Sequence, residues 1–204
     1  MQPLPEPLPA DPLALFQEWL ERAVRELPEH NPTAMSLSSI ADDGAPASRM
    51  VICRGYDAHE GWIVFYTDRD SPKGRELDAR PQAAAVFYWE PLQRQVRIRG
   101  GVSRSPDAES DAYFGSRPVG AQISARASRQ SEPVASRSEL QRLHAEEAAR
   151  FEAEASAVPR PERWGGYRIR IEQIEFWVGM PDRLHDRALY TRSGGGWSAT
   201  RLQP

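Results

Sequence analysis

Between residues 34 and 102 the chain passes through five short apolar or alternating segments with little between them. They are 34–40, 47–54, 62–67, 83–89 and 95–99. Alternation over roughly four to eight residues marks a strand with one buried face. Asp42-Asp43-Gly44 reads as a hairpin turn, and Gly100-Gly101 as a bend before Val102. Parallel neighbours would need long crossovers, usually helices. The series holds one helical signal, Ser71-Pro72 through about Asp78. The spacing therefore predicts a barrel or sandwich rather than a βαβ sheet.

Residues 1–10 are Pro-rich and expected to be flexible or extended. Asp11 caps a helix with Pro12 in its first turn. Leu13, Phe16, Leu20 and Ala23 form its apolar face, broadened by Leu15 and Trp19, and it should end near Glu29 and His30. After the strands, Ser105-Pro106-Asp107 opens a helix that carries Tyr113 and Phe114 and stops before Pro118. Residues 119–135 read as irregular. Ser136-x-x-Glu139 is a capping box at the start of a charged helix to about Ala155, with Pro159 and Pro161 beyond it. Residues 167–177 alternate as one strand, and 189–192 and 197–202 flank a Ser-Gly-Gly-Gly turn. The expected organisation is α+β, mainly β. A single domain spans 11–204, with a helical annex at about 105–160 and a C-terminal β segment at about 165–204.

Much chemistry is excluded. The 204 residues carry 26 basic and 29 acidic side chains, a net charge of −3, so no polyanion-binding tail is expected. Neither a nucleic-acid nor a membrane partner is expected. One cysteine, Cys53, cannot form an intramolecular disulfide. The start has no basic-then-apolar leader, and no stretch reaches the ~18 apolar residues of a membrane span. The expected location is the cytoplasm. There is no dinucleotide fingerprint after a strand, no phosphate loop of the Walker type and no nucleophile elbow. His30, His59, His144 and His185 are scattered, so no metal site is expected.

What remains is arginine beside hydroxyls and amides in loops and strand ends. The segments are Arg49 to Arg54, Tyr66-Thr67 with Ser71-x-Lys73, Tyr113 with Arg117, Arg129-Gln130-Ser131, and Arg183-x-His185-x-Arg187. Guanidinium forks and hydroxyls suit a phosphate dianion. Lys73 is the sole lysine among 25 arginines. It lies just inside a predicted helix start, where backbone N–H groups and the helix dipole favour an anion. Taken singly, most of these arginines read as solvated surface residues, Trp177 as core and His185 as a surface histidine. The residues alone reach a mixed α/β protein that binds a phosphorylated ligand.

In order along the chain, these segments resemble the pyridoxamine 5′-phosphate oxidase family. The matching stretches include Asn31-Pro-Thr-Ala-Met35, Ser48-Arg-Met-Val51, Val64-Phe-Tyr-Thr67, Ser71-Pro-Lys-Gly74, Tyr113-Phe-Gly-Ser-Arg-Pro118, Ser128-Arg-Gln-Ser131, Trp164-Gly-Gly-Tyr167, Glu172-Gln-Ile-Glu-Phe-Trp177 and Arg183-Leu-His-Asp-Arg187. Each is weak alone; the ordered set is specific and covers the chain from about residue 9 to its end. The resemblance implies an FMN-binding split β-barrel that forms a homodimer, with FMN at the subunit interface. It assigns FMN contacts to Arg49, Met50, Val51, Tyr66, Thr67, Ser71, Lys73, Gln95, Trp177 and Arg187. Gln130 and Ser131 would reach the FMN from the partner subunit. Arg54, Tyr113 and Arg117 match the substrate-phosphate pocket, and Arg183 and His185 the catalytic positions beside the pyridine ring.

The implied reaction oxidises pyridoxamine or pyridoxine 5′-phosphate to pyridoxal 5′-phosphate, with O2 as acceptor and hydrogen peroxide as product. Three departures surround the substrate. Arg54 stands where the family usually has lysine, and Ala121 where a pocket serine is expected. The basic-aromatic segment that covers the site in some members has no counterpart before Asp11. Pro72 also replaces a common basic residue beside Lys73. Two other functions fit the same motifs: an FMN oxidase of another substrate, as in phenazine biosynthesis, and a non-catalytic carrier of flavin or pyridoxal phosphate.

Overall fold

The strand-rich middle of the chain folds as expected, and a computed structural model describes residues 2–154 and 157–204. Helix α1 (Pro12–Glu26) starts on Asp11, whose carboxylate accepts from the Leu13 N–H at 2.9 Å. It buries Leu13, Phe16, Trp19 and Ala23 against the sheet. It stops short of Glu29; a separate 3-10 turn, Pro28–His30, follows because Pro28 restarts the chain direction.

Strands β1 (Ala34–Ile40) and β2 (Pro46–Ile52) form the expected hairpin. A short strand not foreseen, β3 (Gly55–Asp57), pairs with β4 (Trp62–Asp68). Helix α2 (Pro72–Ala79) is capped by Ser71, and β5 (Gln82–Trp89) and β6 (Arg94–Arg104) follow. Helices α3 (Asp107–Ser116), α4 (Val119–Ala127) and α5 (Arg137–Glu154) make up the annex. The expected end of α5 at Ala155 lies outside the described residues. Its capping box forms, with the Glu139 N–H donating to Ser136 Oγ at 3.0 Å. The predicted single strand over 167–177 is two strands, β7 (Trp164–Arg170) and β8 (Gln173–Val178), because the chain turns at Ile171 and Glu172. Strands β9 (Asp186–Ser193) and β10 (Gly196–Leu202) close the fold.

The ten strands form one sheet in the order β10-β9-β8-β6-β5-β1-β2, with β7 joining β6 to β4. Strand β6 is the pivot. Its first half, Arg94 to Arg99, pairs with β5 and β8; after the glycines, Val102 to Arg104 pair with β7. A Cβ on Gly100 would sit 1.7 Å from the Arg170 carbonyl oxygen, so the crossing of the two half-barrels needs a glycine there. This is a split β-barrel. Met35, Leu37, Phe87, Ile98, Phe176 and Tyr190 fill its core under α1.

Residues 2–10 have no regular structure but are anchored. Leu4 is buried, its N–H donates to Asp186 at 2.8 Å, and Arg201 bonds the Pro5 carbonyl and Glu6. No helix among the described residues is long and apolar enough to cross a membrane.

Candidate functional site

The start of α2 is built around one cation. Ser71 is fully buried; its hydroxyl donates to the Asp68 carbonyl at 2.6 Å and accepts from the Gly74 N–H. Lys73 Nζ then donates to Thr67 Oγ1 at 3.2 Å, Ser71 Oγ at 3.3 Å and Gln130 Oε1 at 2.6 Å. All three partners are neutral. Burial lowers the Lys73 pKa and the nearby Arg49 charge lowers it further, while Asp68 and Glu76 oppose them. Arg49 donates to Glu76 Oε2 at 2.9 Å and also to Ser39, whose hydroxyl bonds the same oxygen at 2.5 Å. Its charge is therefore compensated within the chain. A half-buried ammonium with neutral partners, at a helix N-terminus, fits a phosphate group.

Thr67 and Tyr66 are neighbours in β4, and Tyr66 begins a second pocket. Its ring stacks on Tyr113 of α3 at 4.2 Å and on Trp164 of β7 at 5.4 Å. Arg117 lies over Trp164 at 4.9 Å, and Arg54 over Tyr113 at 5.9 Å. Arg117 Nη1 is buried with no hydrogen-bond partner among the described residues. Burial lowers the Arg117 pKa, Tyr113 opposes this, and the Arg54 charge adds to it. An orphaned guanidinium nitrogen among aromatic walls fits a second anion.

A third group lies on the outer face of the main sheet. Directly paired residues of an antiparallel ladder share a face. Tyr88, Gln95, Trp177 and Arg187 make one such row across β5, β6, β8 and β9. The next row joins Met50, Ser36, Val86, Arg97, Glu175 and Leu189. Met50 is 66 % exposed and Tyr88 54 %, so this face offers uncovered apolar surface in a single chain. Val51 faces the other way and packs on the core, which leaves only its backbone, on the edge strand β2, for ligand contact. The His185 ring lies tilted against Trp177, centroids 4.7 Å apart, and its Nδ1 accepts from the Met180 N–H at 3.2 Å. Arg183 is exposed and follows Asp182 in the left-handed region, at φ 60° and 55°. Holding two non-glycine residues there costs about 1–3 kcal/mol each.

The sequence-predicted residues thus fall into two assemblies. Arg49, Arg54, Tyr66, Thr67, Ser71, Lys73, Tyr113, Arg117 and Gln130 gather around β4 and α2. Gln95, Trp177, His185 and Arg187 gather on the outer face. Gln130, expected to act from the partner subunit, bonds Lys73 and Thr67 of its own chain. The reason is α4, which replaces the first part of the irregular segment expected over 119–135. Arg163 donates to the carbonyls of Ala125, Arg126 and Ser128 at its end and to Asp68, so the following loop returns over α2. Ser131 sits in that loop at φ 70°. Sequence reasoning assigned no role to Ser39, Glu76, Trp164 or Glu175. Trp164 and Glu175 stood within matched motifs; Ser39 and Glu76 had no local signal, since their partners are remote in sequence.

Fold and site define a split-barrel protein with two cationic sockets fitted to anions and an uncovered sheet face. The chain belongs to the pyridoxamine 5′-phosphate oxidase family. Residues 20–150 match the family's pyridoxamine 5′-phosphate oxidase model, and residues 164–204 its pyridoxine 5′-phosphate oxidase C-terminal dimerisation region. The split barrel and the homodimer expected from the sequence are those of this family. The pyridoxine/pyridoxamine 5′-phosphate oxidase of Rubrobacter xylanophilus is 50 % identical over 194 residues, 95 % of this chain and 87 % of that protein. The one from Burkholderia lata is 48 % identical, over 95 % of this chain and 89 % of that protein. Among solved structures, PhzG from Burkholderia lata, in complex with tetrahydrophenazine-1-carboxylic acid, superposes with a TM-score of 0.86 at 34 % identity, covering 96 % of this chain and 94 % of that one.

Proposed function

We propose that the protein is a cytoplasmic, homodimeric, FMN-dependent oxidase that converts pyridoxamine and pyridoxine 5′-phosphate to pyridoxal 5′-phosphate. The observation that carries this reading is the presence of two separate anion sockets served by adjacent residues of β4. One phosphate belongs to the cofactor and one to the substrate.

Lys73, Ser71, Thr67 and the α2 N-terminus would hold the FMN phosphate, with Arg49 beside them. Tyr66, Gln95, Gln130, Ser131, Trp177, Arg187 and the Met50–Val51 backbone would hold the rest of the cofactor. When bound, FMN supplies a two-electron acceptor for a hydride from the substrate C4′ carbon and passes the electrons to O2, giving hydrogen peroxide. Arg117, Arg54 and Tyr113 grip the substrate phosphate, turning remote binding energy into alignment of C4′. Arg183 and His185 flank the pyridine ring. The Met180 N–H occupies His185 Nδ1, so the neutral imidazole carries its proton on Nε2 and presents a donor. In the amine route water is consumed and ammonia released.

Within one chain, no hydrogen bond or ring contact among the described residues joins the outer-face group to the β4 group. Dimerisation through the outer face brings the two together, each chain's Trp177, His185 and Arg187 completing its partner's sockets.

PhzG supports a second reading, oxidation of a reduced phenazine acid, and Ala121 favours it by removing a phosphate donor. The 48 % identity to the Burkholderia lata pyridoxine/pyridoxamine oxidase, against 34 % to PhzG of that species, weighs toward the first. The test is turnover of the FMN-loaded protein. Pyridoxal phosphate and hydrogen peroxide formed in equal amounts support the proposal. Turnover of tetrahydrophenazine-1-carboxylic acid alone would reassign the substrate.

A further inference from the structure

Glu175 lies on the outer face of β8 and is 7 % exposed. It stands two residues before Trp177, in the adjoining row of the same face, between two guanidinium groups. Its Oε1 accepts from Arg187 Nε at 3.0 Å and Nη2 at 2.8 Å, and its Oε2 accepts from Arg97 Nη1 at 3.1 Å. Arg187 Nη1 donates in addition to the Gln203 carbonyl at 2.8 Å. These bonds fix the plane of the Arg187 guanidinium from two sides. Among the described residues they leave one N–H on Nη1 and one on Nη2 without a partner, on the edge of the fork away from Glu175.

An arginine on an exposed sheet face would otherwise sample several rotamers, at an entropy cost when a ligand selects one. Here the selection is made before any ligand arrives. Arg97 occupies the second carboxylate oxygen, so Glu175 itself has no freedom to swing away.

We propose that Glu175 is a positioning residue for the flavin: it holds the Arg187 fork in the orientation that receives the isoalloxazine ring. The inference rests on the reading above that Arg187 touches FMN. Glu175 does not touch the flavin and acts only through Arg187.

The experiment is a double-mutant cycle read by FMN affinity, from quenching of flavin fluorescence on titration into the full-length apoprotein. Glu175→Gln keeps the side-chain volume and one acceptor oxygen. In the parent it should weaken FMN binding roughly ten-fold, the scale of a hydrogen bond to a charged group. In an Arg187→Ala background the same substitution should change affinity by less than about two-fold, because the group it positions is gone. An equal loss in both backgrounds would show a merely structural role and overturn the inference. So would an unchanged affinity in the parent. If Arg187→Ala alone leaves FMN affinity intact, Arg187 is not a flavin contact and the inference falls with that assignment, while pyridoxal phosphate formation by the parent would leave the proposed activity standing. Should thermal melting show that Glu175→Gln is unfolded, Glu175→Asp, which keeps the charge but withdraws it by one methylene, takes its place in the cycle with the same expected pattern.

Discussion

Lys73 and Gln130 meet at 2.6 Å, ammonium to amide oxygen, across 57 residues of sequence. With Thr67 and Ser71, Gln130 makes three neutral oxygens converge on one point, and a compact ammonium fits that point. A planar guanidinium is longer and spreads its donors. Lys73→Ala should weaken FMN binding by about 1.5–3 kcal/mol, or some ten- to hundred-fold. Lys73→Arg should also lose about ten-fold although the charge is kept. Both are read by FMN titration, with thermal melting of the apoprotein as control. Parent-like affinity in Lys73→Arg would show that charge alone is needed.

The same lysine sets a pH dependence. Its pKa in the apoprotein is lowered, chiefly by burial. Between that value and the ordinary lysine value of about 10.4 the unfolded chain binds more protons than the folded one, so this group makes apoprotein stability rise with pH. Phosphate binding needs the charged form. FMN affinity should therefore fall as pH rises, and begin to fall below the ordinary lysine value. The two slopes have opposite signs, which separates them from general alkaline denaturation. Titrations at stepped pH check it, and in Lys73→Ala this component of the fall should vanish.

The strands were legible because the pattern that marks them is local. Alternation and turn residues placed β1, β2, β4, β5 and the start of β6 within a residue or two. The caps at Asp11, Ser71 and Ser136 were legible for the same reason. Most of what failed was set by distant partners. Helix α4 is held by Arg163, in the turn before β7, and nothing within 119–127 announces that contact. The break between β7 and β8 had a local signal that the single-strand expectation passed over: Tyr167, Ile169 and Ile171 alternate, and the polar pair Glu172-Gln173 shifts the apolar positions to Ile174, Phe176 and Val178. At the site, the motifs named the arginines, but Glu76 and Glu175, which orient Arg49 and Arg187, are visible only once α2 packs on β1 and β8 pairs with β9.

Exposed Met50 and Tyr88 give the outer face its apolar surface. Burying a charge there without a partner is costly. Met50→Asp or Tyr88→Glu should shift the protein from dimer toward monomer in sedimentation or size-exclusion measurements, with little change in the melting of the isolated chain. Flavin retention should drop in parallel, since the Trp177 and Arg187 group would no longer face a partner's sockets. A variant that stays dimeric with FMN bound would place the interface elsewhere.

Arg117 makes a structural demand for a ligand, because its Nη1 is buried with no partner among the described residues. Arg117→Ala should raise the substrate KM by about 1.5–3 kcal/mol equivalent, ten- to hundred-fold, while FMN stays bound. Arg54→Ala should act in the same direction but less, since Arg54 sits farther out over Tyr113. Ala121 lies in the first turn of α4, four residues past Arg117. Ala121→Ser would place a hydroxyl there and should lower KM by up to about ten-fold for a phosphorylated pyridine. It should not improve turnover of a phenazine carboxylic acid, which has no phosphate to receive the new donor. Steady-state kinetics on both substrate classes decides the matter: a KM that falls only for the phenazine acid would mean that the Arg117 pocket does not hold the substrate phosphate.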